Sequence, residues 1–154
     1  MTEECDCKKR NIMILACSGN CNAGQLANRA AVELTEEGFG AMLCLAGIAA
    51  GLSAFVQSAT DADLLVVIDG CECACGRAIL ENAGIPLEKH VIVTQLGICR
   101  NSALLLKTED LAVVKDAVRL AFKYPIKAIA IFKSPKTLSP ADQARSRSLG
   151  GRCC

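Results

Sequence analysis

The stretch Asn11-Ile-Met-Ile-Leu-Ala-Cys17, closed by Ser18-Gly19, decides how this chain is read. It is a short apolar run ending at a small-residue turn, as a strand covered on both faces does. Directly after it, Ala23 to Glu37 repeats apolar residues at Leu26, Ala30 and Leu34 before Gly38, which are the period and the stop of a helix. Strand followed by helix recurs as Ala41 to Leu45 with Ile48 to Ser58, and as Leu64 to Asp69 with Arg77 to Ala83. A strand from His90 to Gln95, a helix from Glu109 to Lys123 and a fifth strand from Ala128 to Phe132 complete the series. This alternation predicts a doubly wound α/β domain around a mainly parallel five-stranded sheet, flavodoxin- or Rossmann-like, with strand order 2-1-3-4-5 as the working expectation.

The length of 154 residues suits one domain. Residues 1–10 read as a charged tail, 11–133 as the domain and 134–154 as an arm carrying Pro135, Pro140 and the ending Gly150-Gly-Arg-Cys-Cys154. A net charge of +1 and five aromatics without Trp give no electrostatic or stacking basis for nucleic acid or an anionic membrane as partner. The run Gly38 to Thr60 has no charged residue and is long enough to span a bilayer. Its glycines and its Ser53, Gln57, Ser58 and Thr60 read instead as strand, turn and helix, so no membrane span is expected.

Cysteine is the unusual component, at 11 residues against a single His. An odd count and a charged start, Met1-Thr-Glu-Glu-Cys5, point to a reducing, cytoplasmic compartment rather than a secreted disulfide scaffold. The positions carry more than the count. Cys17, Cys44, Cys71 and Cys99 each follow or end a predicted strand, Cys75 enters the next helix, and Cys21 and Cys73 lie in the adjoining loops. Parallel strands point one way, so these thiols converge on the carboxyl edge of the sheet, where open α/β proteins place their ligands. Any one of them alone reads as a small core hydrophobe. As a group, placed among Gly, Asn and Ser, they suit a soft metal: zinc or an iron–sulfur cluster.

Other readings of the same loops are weaker. Gly19 to Gly24 has the glycine spacing of a phosphate-binding loop, but Gln25-Leu26 stands where Lys and Ser or Thr are required. Asp69 reads as a cap for backbone N–H groups at the next helix, His90 as structural, and Arg77 and Arg100 either as counter-charges to thiolates or as solvated surface.

Four motifs taken together, Ala16-Cys17-Ser18-Gly19, Gly24-Gln25-Leu26-Ala27-Asn28, Cys44-Leu45-Ala46-Gly47-Ile48 and Ile68-Asp69-Gly70-Cys71 with Cys75, resemble the DGC-domain family. The resemblance runs from about Asn11 to Phe132 and includes Thr94-Gln95-Leu96-Gly97-Ile98. It implies a zinc-binding protein with Cys17, Cys44, Cys71 and Cys75 as chelators, and no established reaction. Cys21, Cys73 and Cys99 are additions to the family pattern and are candidate accessory thiols. They keep open an iron–sulfur or thiol-based redox or sulfur-transfer alternative, in which Cys73 or Cys99 reacts with Asp69 or Arg100 assisting. Cys5, Cys7, Cys153 and Cys154 stand in the tails.

Overall fold

The structure, a computed structural model, describes residues 10–123. Strand β1 (Ile12–Ala16) leads into helix α1 (Asn22–Glu36), and β2 (Ala41–Met42) into α2 (Leu45–Ala49) and α3 (Ser53–Thr60). Strand β3 (Leu64–Asp69) leads into α4 (Cys75–Asn82), and β4 (Lys89–Ile92) runs through a 3-10 turn, Val93–Leu96, towards α5 (Thr108–Lys123). All pairings are parallel and the order is β2-β1-β3-β4. These are the first four places of the expected order. Among the described residues the sheet has four strands rather than five; the expected strand Ala128 to Phe132 lies outside them, as do the tails apart from Arg10.

The two-residue period of the strands divides the core in two. Ile14 and Ala16 of β1, with Val66 and Ile68 of β3, pack beneath α1 and α5 against Leu26, Leu34, Val114 and Val118. Leu15, Leu65 and Val67 face the other way, onto Ile48, Ala59 and Leu80 of the remaining helices. Both faces of the central strands are therefore buried, which is why they read as unbroken apolar runs rather than alternating ones. The helix predicted from Leu26, Ala30 and Leu34 buries all three and ends where Gly38 turns left-handed at φ 73°.

Several boundaries differ from the sequence reading, among them the start of α4 at Cys75 instead of Arg77. The strand expected over Ala41 to Leu45 stops at Met42, because Cys44 caps α2: its sulfur accepts the Gly47 N–H at 3.4 Å. The helix expected over Ile48 to Ser58 is broken at Gly51, whose φ of 68° places it in the left-handed region that ends a helix. The uncharged run Gly38 to Thr60 is thus a short strand and two short helices. Among the described residues no helix is long and apolar enough to cross a membrane. The strand expected to reach Gln95 ends at Ile92, where the chain tightens into the 3-10 turn and Thr94 donates its N–H to the Gly70 carbonyl.

Helices α1 and α5 are tied by charge. Lys115 Nζ lies 2.7 Å from Glu33 Oε2 and 2.7 Å from Glu37 Oε1, and Arg119 pairs with Glu37 and Asp116. The hydrogen bond from Lys115 holds the Glu33 carboxyl below its ordinary value of 4.5, and the same pair raises Lys115 above 10.5. A lowered carboxyl contributes stability that is present above pH 4.5 and is lost as pH falls through the depressed value; a raised amine loses its contribution only above pH 10.5. Lys115→Ala is therefore expected to lower the urea midpoint at pH 7, and the gap from the parent should close in acid as Glu33 protonates. A gap of the same size at pH 7 and pH 2 would contradict this.

Candidate metal centre

The carboxyl ends of β1 and β3 are adjacent in the sheet, so the loops leaving them meet. Cys17 continues β1: its N–H donates to the Ile68 carbonyl at 2.9 Å, which keeps the residue in register with the end of β3. Backbone packing then closes the loops together. A Cβ built on Gly24 would stand 2.6 Å from the Gly19 nitrogen, and one on Gly70 would stand 2.6 Å from the Gly24 nitrogen. Three glycines on three segments thus let main chain lie directly on main chain. The Gly19 to Gly24 spacing serves this close packing.

Around this stack is a small cavity of about 40 Å³, lined by those three glycines and by Cys17, Cys21, Cys71, Cys73 and Cys75. The loop from β3 delivers three of the five. Ala74 sits in the left-handed region at φ 48°, an unfavourable conformation for a residue with a Cβ, and it swings the chain so that Cys75 opens α4. Asp69 holds that geometry from below. It is 1% exposed; Oδ1 accepts the Gly76 N–H at 2.8 Å, and Oδ2 accepts the Arg77 N–H at 3.1 Å and faces His90 Nε2 at 2.8 Å. The tautomer with its proton on Nε2 satisfies the last contact. The expected helix-capping role of Asp69 is therefore observed, with His90 as a further partner. The Arg77 guanidinium pairs with Glu81 at 2.6 Å on an exposed face.

Burial pushes the Cys17 thiol above its ordinary value, and the negative charges of Asp69 and Cys75 act in the same sense. Backbone N–H groups of Gly70 and Gly19 directed at the sulfur oppose them. Cys21, 4% exposed, caps α1 by accepting the Gly24 N–H at 3.4 Å, as Ser or Thr does at other helix starts.

Of the four expected chelators, the fold brings Cys17, Cys71 and Cys75 to one cavity. Cys44 is exposed, is tied to the start of α2, and does not line that cavity; Cys21 does. Cys73 is disulfide-bonded and so is not a free thiol, whereas Cys99 is exposed and lines a separate, neighbouring cavity. Among the described residues, no three Cys, His, Asp or Glu side chains stand close enough to grip a metal ion as they are. The donor chemistry fits a soft ion, since thiols and N–H···S contacts dominate the rim. A closed shell requires these thiols to draw inward from their present positions.

Missed by sequence reasoning was Asn22, 7% exposed beside Cys21. Its amide donates to the Cys99 carbonyl at 2.9 Å and accepts the Asn101 N–H at 2.7 Å, while its own N–H reaches the Asn101 carbonyl at 3.1 Å. An Asn next to a predicted helix start carries a weak signal of such a clasp.

A parallel α/β domain whose strand ends present cysteines from two adjacent loops is the class these features define. The DGC domain matches residues 13–118, and the chain belongs to that family. It is also similar to the anaerobic and virulence modulator AnvM of Pseudomonas aeruginosa, at 28% identity over 86 residues that cover 56% of this chain and 66% of that protein. The match therefore spans just under two thirds of the relative's length. No solved structure matches the chain.

Proposed function

We propose that this protein binds one zinc ion at the carboxyl edge of its sheet, in a structural or regulatory role, with Cys17, Cys71 and Cys75 as ligands and Cys44 completing the set. The observation that carries this reading is the gathering of Cys17, Cys71 and Cys75 from β1, β3 and α4 around one small cavity. Three soft donors already share one concave site, and four thiolates close a tetrahedral shell with no open position for water, which favours a structural or regulatory ion over a hydrolytic one. Cys21, on the same cavity, is the thiol best placed to substitute for Cys44. A regulatory role agrees with the description of AnvM as a modulator. The reading includes a cytoplasmic location, where the ligand thiols stay reduced and the disulfide at Cys73 would be opened, and a flavodoxin-like completion of the sheet by a fifth strand.

Elemental analysis of anaerobically purified full-length protein is expected to give about one zinc per chain. Cys17→Ser and Cys75→Ser should each lose most of it; Cys44→Ser and Cys21→Ser, compared side by side, decide the fourth ligand. The four free thiols on the cavity, Cys17, Cys21, Cys71 and Cys75, are also the number that a [2Fe–2S] or [4Fe–4S] cluster takes, which makes an iron–sulfur cluster the second reading. Bound iron with inorganic sulfide would establish that alternative. Fully folded, metal-free protein under reducing conditions would overturn both.

A further inference from the structure

Beside the thiol cavity lies a larger one, of about 280 Å³, between the start of α1 and the loop that runs from Gly97 to Lys107. The two adjoin through consecutive residues, Cys21 lining the first and Asn22 the second. The wall of the larger cavity is preformed, because the Asn22 clasp holds the loop at Cys99 and Asn101 by three hydrogen bonds. Its size lies just below the usual range of small-molecule sites, which suits a ligand of a few heavy atoms.

Its lining has a definite chemical pattern. Lys107 and Asp110, of opposite charge, both face it, and neither side chain has a hydrogen-bond or ion-pair partner among the described residues. Asp110 in the first turn of α5 also complements the positive end of that helix. Lys107 immediately precedes the same helix, where a cation is unfavourable, so helix stabilisation gives no reason for it. Leu106 supplies an apolar wall, and Leu105, 90% exposed, stands at the rim with nothing packed over it. Cys99, a free and exposed cysteine, lines the same space.

We propose that this cavity binds an amino-acid-sized zwitterion, its carboxylate toward Lys107, its ammonium toward Asp110 and its side chain against Leu105 and Leu106, in reach of Cys99. This site is separate from the proposed zinc ligands and does not depend on metal. Cys99 supplies a covalent reporter for it. With L-cystine as probe, the Cys99 thiolate attacks one sulfur and the cystine S–S bond breaks. Half of the probe stays as a mixed disulfide, and the other half leaves as cysteine thiolate and takes up a proton. Cys99 is oxidised and the departing half is reduced.

The full chain, reduced and then desalted at low ionic strength, is mixed with a short peptide carrying one free cysteine and treated with L-cystine or with the neutral bis(2-hydroxyethyl) disulfide, and labelling of Cys99 and of the peptide is read by mass spectrometry. The peptide thiol corrects for reagent reactivity, and any general loosening of the fold acts on both reagents alike. The Cys99-to-peptide ratio is expected to be about fivefold higher with cystine, the factor that about 1 kcal/mol represents. The Lys107→Ala, Asp110→Ala double variant, in which one exposed and one half-buried side chain change, should bring the two reagents to the same ratio. Equal ratios in the parent, or a cystine preference that survives in the double variant, would overturn the proposal.

Discussion

Asp69→Ala is expected to destabilise the protein by about 3–5 kcal/mol, the range for removing one partner of a buried charged network. The carboxylate is 1% exposed and serves the Gly76 N–H, the Arg77 N–H and His90 together. Alanine leaves all three without a partner and opens a space beneath the first turn of α4. Gly76 is the reason solvent has no easy way in, since a Cβ there would lie 2.7 Å from a Val67 methyl and 3.0 Å from Asp69 Oδ1. Against a total stability of about 5–15 kcal/mol for a domain of this kind, the loss is severe. Asp69→Asn keeps the shape and one acceptor, so it should cost less, about 1–3 kcal/mol, with the deficit concentrated at Arg77 and His90. Urea denaturation under reducing conditions measures both. A loss below about 1 kcal/mol for alanine would show that the turn re-forms without the carboxylate. The consequence for the site is positional: Cys75 opens the helix that Asp69 caps, and a frayed first turn should raise alkylation of Cys75 relative to Cys99, which belongs to another loop.

Gly70→Ala is expected to cost about 3 kcal/mol by a different route, overpacking. The added methyl would sit 2.6 Å from the Gly24 nitrogen, 2.8 Å from its Cα and 2.9 Å from the Ala23 carbonyl carbon. All three are main-chain atoms, so no flexible side chain can turn aside; α1 must move away from the end of β3. Gly24→Ala pushes the same helix off the Gly19 segment, with contacts of 2.6–2.8 Å, and should cost a similar amount. Because both substitutions relieve themselves by shifting α1, the double variant is expected to lose less than the sum of the two. Equilibrium unfolding of the three variants gives the cycle. A Gly70→Ala protein within about 0.5 kcal/mol of the parent would mean that the backbone stack is looser than these distances imply. Movement of α1 also separates Cys21 from Cys17 and Cys71, so the same variant should weaken any metal held between them.

The legible parts of the fold are those set by near neighbours in sequence. Leu64 to Ile68 is apolar throughout because both its faces are covered, and the bounds Leu64 to Asp69 expected from the sequence match the strand to the residue. Helices α1 and α5 carry a long apolar period, and the bounds it implies lie within one residue of the observed ends. The second strand and its helix depart from the sequence expectation for a local reason of another kind. A thiol at Cys44 acts as a helix cap, which its residue type does not announce, and Gly51 interrupts an apolar segment whose period alone looks continuous.

By itself, the sequence determined that strands alternate with helices, that thiols follow the strands, and that the chain carries the DGC motifs. Each of these rests on short-range pattern, which hydrophobic periodicity and glycine placement write directly into the chain. Only the tertiary structure decided which thiols meet. Cys17 and Cys75 are far apart in sequence and share a cavity because β1 and β3 are hydrogen-bonded neighbours. Cys44 follows β2 on the other side of β1 and is drawn off by its own helix, whereas Cys21 is carried inward by the glycine stack. Strand order and main-chain packing at Gly19, Gly24 and Gly70 are long-range contacts, and no local pattern encodes them. They turn a row of cysteines along one sheet edge into four free thiols and the disulfide-bonded Cys73 around one cavity, with Cys99 and Asn22 set beside a second.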